Sequence, residues 1–218
     1  MTSPTDLSLI SPPIASLHDI SQPGNPLRLG IMASGSGSNF EAIAQAITNR
    51  HLNAQIQVMV YNNPGATAVQ RAERWGIPAA LINHRDVPDR AALDRAIVST
   101  FHQHDVDWVI MAGWMRLVTD VLLDEFPNRI LNIHPSLLPS FPGIRAVEQA
   151  LSAGVKVTGC TVHHAILKMD SGPIVMQAVV PILPDDTPDT LHQRIQVQEH
   201  RIYPMAIALA GFGAGLHR

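Results

Sequence analysis

Charged side chains are scarce in this 218-residue chain: Asp, Glu, Lys and Arg make up 15% of it, where about a quarter is usual. Fifteen Lys and Arg against eighteen Asp and Glu leave a formal charge of −3, so the chain offers no global attraction to a phosphate backbone, and nucleic acid is not an expected partner. Cysteine is nearly absent. The single Cys160 excludes an intramolecular disulfide framework and a multi-cysteine zinc site, and it fits a cytoplasmic location. No apolar run reaches the ~20 residues needed to cross a bilayer, and residues 1–26 lack the basic start and continuous apolar core of an export signal. No membrane partner is expected. The chain is instead rich in turn formers, with 14 Gly and 17 Pro, and its 46% hydrophobic content is ample for a sizeable core. Collagen, coiled coil and wholesale disorder are excluded.

Residues 1–26, with Pro12-Pro13 and Pro23-Gly24-Asn25-Pro26, show no sustained period and read as a flexible Ser/Pro-rich leader. The run 27–32 ends in Ala33-Ser34-Gly35-Ser36-Gly37-Ser38, after which Phe40, Ile43, Ala44 and Ile47 recur at helical spacing. This is strand, glycine loop, helix, and Ser38 three before Glu41 fits a capping box. Strands are predicted at 56–61, 79–82, 108–111 and 129–133, with helices at 67–75, 88–104 and 144–152 between or after them. Such alternation implies an α/β fold with a mostly parallel central sheet flanked by helices. The segments 155–165 and 173–180 have no long helix between them and predict a mixed β extension. A last helix, 190–209, carries Leu191, Ile195, Ile202, Met205 and Leu209 and is expected to be interrupted at Pro204. No linker after residue 26 forces a second domain, so 27–218 reads as one.

Four segments have the residue types of a site. Gly35, Ser36, Gly37, Ser38 and Asn39 lie between a strand and a helix, where backbone amides and the helix dipole can hold an anion; the same residues also suit a purely structural tight turn. The third glycine of a dinucleotide fingerprint is replaced by Phe40, and no Gly-Lys-Ser/Thr of a nucleoside-triphosphate loop is present. Asn132-Ile133-His134 ends a predicted core strand, and alternation puts Asn132 and His134 on one face. Histidine can exchange a proton near neutral pH and the amide can donate to an oxygen that gains charge; a satisfied strand-end histidine and a loop-capping asparagine are the alternative. Asp170-Ser171-Gly172-Pro173 makes an ordinary turn, or a carboxylate that supports His134. Gly113-Trp114-Met115-Arg116 suits either a flat heterocycle or a packed turn, and Arg90 lies in a mixed-sign segment that could meet a ligand carboxylate. Cys160, His163, His164 and Asp170 fall short of a four-ligand structural zinc site, and no metal is expected.

Jointly these motifs resemble the phosphoribosylglycinamide formyltransferase family, folate-dependent enzymes of purine biosynthesis. The resemblance runs through Gly35 to Asn39, Met111-Ala112-Gly113-Trp114-Met115-Arg116, Leu131-Asn132-Ile133-His134-Pro135-Ser136-Leu137-Leu138-Pro139, Phe141-Pro142-Gly143, Asp170 to Pro173 and Gln196-Val197-Gln198-Glu199-His200, and covers about residues 27 to 209. It implies a Rossmann-like formyltransferase fold and a catalytic trio of Asn132, His134 and Asp170. It also implies that Gly35 to Asn39 hold the phosphate of glycinamide ribonucleotide, with Gln196 and Glu199 on the same substrate and Glu199 at its ribose. Met115, Arg116, Leu117, His163 and Asp170 would line the binding site of 10-formyltetrahydrofolate, a co-substrate, with Arg90 reaching its glutamate. The expected assembly is a monomer or a weak homodimer.

One stretch departs from that family: Ile166-Leu167-Lys168-Met169 replaces the more acidic run common before the aspartate. Two related activities fit less well. Formyltetrahydrofolate deformylases carry an amino-terminal regulatory domain, for which residues 1–26 are too short, and tend to His-His-Ser where this chain has His134-Pro135-Ser136. Methionyl-tRNA formyltransferases add a carboxyl-terminal RNA-binding domain that 27–218 does not accommodate. A non-catalytic folate- or nucleotide-binding module is the reading of a different class.

Overall fold

The computed structural model describes residues 9–13 and 20–213. In chain order the elements are β1 (Ile10–Ser11), β2 (Leu27–Ala33), α1 (Ser38–Thr48), β3 (Ala54–Tyr61), α2 (Ala68–Arg74), β4 (Ala79–Leu81), α3 (Arg90–Gln103), β5 (Trp108–Met111), α4 (Asp120–Glu125), β6 (Ile130–His134), α5 (Ala146–Ala153), β7 (Val157–His164), β8 (Ile174–Pro181) and α6 (Pro188–Phe212). One eight-stranded sheet has the order β1-β8-β7-β6-β5-β2-β3-β4. The pairs β4/β3, β3/β2, β2/β5 and β5/β6 are parallel, and β6/β7, β7/β8 and β8/β1 are antiparallel. The mostly parallel sheet and its β extension are therefore as expected.

Period-two burial gives the sheet two cores. Leu29, Ile31 and Ala33 of β2 join Phe40 and Ile43 of α1 and Ile202, Tyr203 and Ala206 of α6 on one face. On the other face Met32, Val58, Val60 and Val109 meet Leu93, Ile97 and Phe101, a four-residue repeat along α3. Tyr203 is fully buried, and its hydroxyl reaches the carbonyl oxygens of Met111 and Leu131 at 3.2 and 3.1 Å. It thereby braces β5 against β6 where both strands approach the site. No helix among the described residues is long and apolar enough to cross a membrane.

Four local expectations change. The capping box at Ser38 does not form: the N-cap of α1 is Gly37 in the left-handed region, with no side-chain cap. The Glu41 carboxylate is instead taken by Arg71 at 2.6 Å, Arg74 at 2.9 Å and the Trp75 indole at 3.0 Å, partners stronger than one backbone amide. Helix α6 continues through Pro204, which is buried among Tyr203, Met205 and Ala206; packing on the sheet outweighs the one lost backbone bond. The six-residue α4 was not anticipated, being too short to show a period. Finally, of the segment 1–26 read as a flexible leader, residues 1–8 and 14–19 lie outside the described residues, and the described part makes contacts with the rest of the chain. Ile10 and Ser11 pair with Ala178 and Gln177 on the sheet edge, and Gln22 exchanges hydrogen bonds with the backbone of His51 and Asn53 at 2.8 and 2.7 Å.

Candidate active site

Three neighbouring parallel strands, β2, β5 and β6, end on the same edge of the sheet, and the chain leaves β2 with β3 on one side and β5 on the other. Such a reversal of strand order opens a crevice at the carboxyl ends. The loop after β2 is pinned from two directions. Gly37 has φ +73°, and a Cβ there would stand 2.7 Å from the Cβ of Ala68, so glycine is required by both conformation and space. Arg71 donates from Nε to the Ser36 carbonyl at 2.8 Å, and the Ala68 amide donates to Gly35 at 3.1 Å. Ser34 ties this loop to the one after β5: its amide donates to Gly113 at 3.1 Å and its hydroxyl accepts from the Met115 amide at 2.9 Å.

A cleft of about 710 Å³ lies over these strand ends. Residues 35–39, Met115, Arg116, Leu117, Asn132, His134, His163, Asp170, Gln196 and Glu199 all line it. Arg90 does not; it opens α3 outside the cleft, where its charge acts on the buried Asp94.

The antiparallel register of β6 on β7 sets Asn132 opposite His163 and His134 opposite Thr161. Asn132 Nδ2 stands 3.2 Å from His163 Nε2, and His163 Nδ1 is 3.0 Å from the His164 carbonyl. His134 lies with Nε2 2.9 Å from the Phe141 carbonyl and Nδ1 3.5 Å from Asp170 Oδ2. Both its ring nitrogens thus face acceptors, an arrangement complementary to imidazolium. Asp170 accepts from the Gly143 amide at 2.8 Å and its other oxygen is 3.6 Å from His163 Nε2.

The turn that delivers Asp170 sits tightly on β7. A Cβ on Gly172 would stand 1.8 Å from the His164 carbonyl oxygen, so no other residue allows this approach. The loop after His134 is held by a hydroxyl used to capacity. Thr161 Oγ1 donates to Ser136 O at 2.7 Å and accepts from the Leu138 amide at 3.0 Å and Gln177 Nε2 at 2.9 Å.

At the glycine loop Asn39 donates from Nδ2 to Glu199 Oε2 at 3.0 Å, in a buried pair. Burial pushes the Glu199 carboxyl above its ordinary range, and neither that bond nor the attraction of His192 restores it. Burial also pushes Asp170 upward, but the facing His163 and His134 and the Gly143 amide more than offset it, leaving the carboxyl below the usual range. Asp170 is therefore ionised at neutral pH. Among the described residues no group of three or more His, Cys, Asp and Glu is arranged to hold a metal ion.

A family model described as formyl transferase matches residues 27–207, which include every strand of this site. The chain belongs to the formyl transferase family. The phosphoribosylglycinamide formyltransferase of Bacillus subtilis is 43% identical over 180 residues, 83% of this chain and 92% of that protein. The human trifunctional purine biosynthetic protein adenosine-3 is 40% identical over 186 residues, which are 85% of this chain but 18% of that longer protein. Among solved structures, glycinamide ribonucleotide transformylase 1 from Symbiobacterium toebii superposes with a TM-score of 0.86 at 45% identity, covering 88% of this chain and 90% of that one.

A formyl transferase passes through a tetrahedral carbon whose oxygen gains negative charge, and the cleft of this one offers an amide and an imidazole at a single strand end. His192 in this formyl transferase's cleft, and the supporting residues Thr161 and Ser136 outside its lining, were not among the expected site residues. His192 lines the cleft from α6, and its position four before Gln196 and seven before Glu199 is the helical spacing that could have revealed it. Thr161 and Ser136 are fully buried supports that only the strand register identifies.

Proposed function

We propose that this enzyme transfers the formyl group of 10-formyltetrahydrofolate to the primary amine of glycinamide ribonucleotide, a step of purine biosynthesis. The convergence of Asn132, His134 and Asp170 on one cleft wall carries the reading, because it supplies an oxyanion donor, a proton-bearing imidazole and its counter-charge together. The pinned glycine loop in the same cleft supports an anionic substrate, and the two relatives named for this reaction support the choice of acceptor.

The neutral amine attacks the formyl carbon, and the C=O electron pair moves onto oxygen. Asn132 donates an amide hydrogen to that oxygen. His134 adds its charge and its Nδ1–H, the donor not committed to a short bond, while its Nε2–H stays on Phe141. Asp170 holds the imidazolium. The intermediate collapses as the bond to the folate nitrogen breaks, the attacking nitrogen loses a proton and the departing nitrogen gains one. Residues 35–39 hold the phosphate, Gln196 and Glu199 hold the rest of the ribonucleotide, and Met115, Arg116 and Leu117 flank the pterin.

Product-resolved turnover with 10-formyltetrahydrofolate tests this, with and without glycinamide ribonucleotide and followed by mass spectrometry. Formylated ribonucleotide that forms only with the acceptor is the expected result. Formate released equally without it would replace the proposal with a deformylase.

A further inference from the structure

We propose that His163 is a positioning residue for Asn132: as the neutral Nδ1–H tautomer it accepts one amide hydrogen of Asn132 and so leaves the other as the donor to the reacting oxygen. The proposal deepens the reading above and rests on it for the role of Asn132.

His163 Nδ1 has a neighbour that fixes its state. That nitrogen lies 3.0 Å from the His164 carbonyl oxygen, which can only accept, so Nδ1 carries a hydrogen. What remains is the state of Nε2. That atom is 3.2 Å from Asn132 Nδ2, within hydrogen-bond reach, and 3.6 Å from Asp170 Oδ1, beyond it. An unprotonated Nε2 accepts from the amide, which agrees with the shorter of the two distances. A protonated Nε2 would set N–H against N–H on Asn132.

Charge leads to the same state. Asp170 has one negative charge and is faced by two imidazoles, His134 at 3.5 Å and His163 at 3.6 Å. His134 has acceptors at both nitrogens and takes the proton that the carboxylate can match. Asp170 supplies one negative charge to both rings, so a second imidazolium at His163, 2% exposed, would leave the buried group with a net positive charge. On this proposal the two histidines have different roles, His134 as the partner of Asp170 and His163 as the acceptor for Asn132. Register makes this possible, because Asn132 and His163 are cross-strand partners on β6 and β7.

The consequence is specific. An asparagine amide at a half-buried strand end can turn about its last torsion and present either oxygen or nitrogen. Only the nitrogen helps a developing oxyanion, and His163 selects it. Without an acceptor there, the amide carbonyl can face the substrate, and the donor is lost for part of the population.

The test starts with the wild-type full chain labelled with ¹⁵N-histidine, where long-range ¹H–¹⁵N correlation reads the tautomer of each ring. His163, assigned by its loss in His163→Gln, is expected to be protonated at Nδ1 and not at Nε2 near neutral pH. Protonation at Nε2, alone or with Nδ1, overturns the proposal. That spectrum requires no substrate, so it stands or falls separately from the choice of acceptor, whereas absent turnover on glycinamide ribonucleotide would overturn only the substrate reading. Kinetics then separates position from mere packing. His163→Gln can place a carbonyl oxygen near the Nε2 site, and His163→Leu cannot. The leucine variant is expected to lose roughly 10- to 100-fold in kcat with both KM values held within about threefold, and the glutamine variant to keep most of kcat. Equal kcat losses in the two, or additive losses of His163→Leu and Asn132→Ala in the double variant, overturn the proposal.

Discussion

Asn39 and Glu199 are 160 residues apart in sequence and share a buried hydrogen bond of 3.0 Å that closes the glycine loop onto α6. The amide nitrogen is spent on the carboxylate, and Asn39 Oδ1 is buried without a partner. The pair thus carries an unmatched polar cost in the free protein, in a cleft where a ligand hydroxyl could satisfy it.

Glu199→Gln separates these terms. Burial raises the folded-state pKa of Glu199, so the stability it contributes is complete at low pH and is lost as pH rises through that pKa. Glutamine does not titrate. The Tm advantage of the variant over wild type is therefore expected to grow with pH, while KM for the ribonucleotide rises. Thermal melts across pH check this, and a difference that is constant or shrinks with pH would refute the burial argument.

Asn132→Ala removes the amide donor from the strand end without touching either end of the cleft. A kcat lower by on the order of 100-fold is expected, with both KM values little changed. Steady-state kinetics with each substrate varied in turn decides it. A loss confined to KM would make Asn132 a binding group instead.

Asp170→Asn acts in the opposite direction on the pH axis. The folded carboxyl lies below its ordinary range, so its stabilisation is present above the unfolded pKa and disappears as pH falls through the folded one. The variant is expected to melt below wild type at neutral pH, with the gap closing in acid, and to lose activity as His134 loses its counter-charge. Denaturation followed at several pH values would expose the error if the gap persisted in acid.

Gly172→Ala tests the close approach of the Asp170 turn to β7. Its Cβ would lie 1.8 Å from the His164 carbonyl, so the backbone must move and Asp170 with it. The expected cost is about 1–3 kcal/mol in stability, accompanied by a fall in kcat. Chemical denaturation and turnover measured on the same sample suffice. Wild-type values in both would show that the turn has slack.

Much of the fold was legible because its signals are local. Leu93, Ile97 and Phe101 announce α3 by spacing alone, and the alternation of strands with helices implies the parallel sheet. The site was legible in its residue types: each expected lining residue except Arg90 reaches the cleft. The failures have one cause. Ser38 and Glu41 have capping-box spacing, yet Glu41 prefers two guanidinium groups and an indole from α2 and the residue that ends it, which no window of a few residues contains. Pro204 should break a helix, and α6 survives it because its neighbours are buried on the sheet.

The sequence by itself determined the elements and the glycine loop, since periodicity and turn chemistry act over a few residues, and it offered Asn132, His134 and Asp170 as candidates that the family resemblance joined into a trio. Tertiary structure decided who faces whom. Asn39 meets Glu199, His163 meets Asn132 and Asp170 lies before two histidines because strand order and register bring distant segments together, and those relations depend on the packing of the whole sheet.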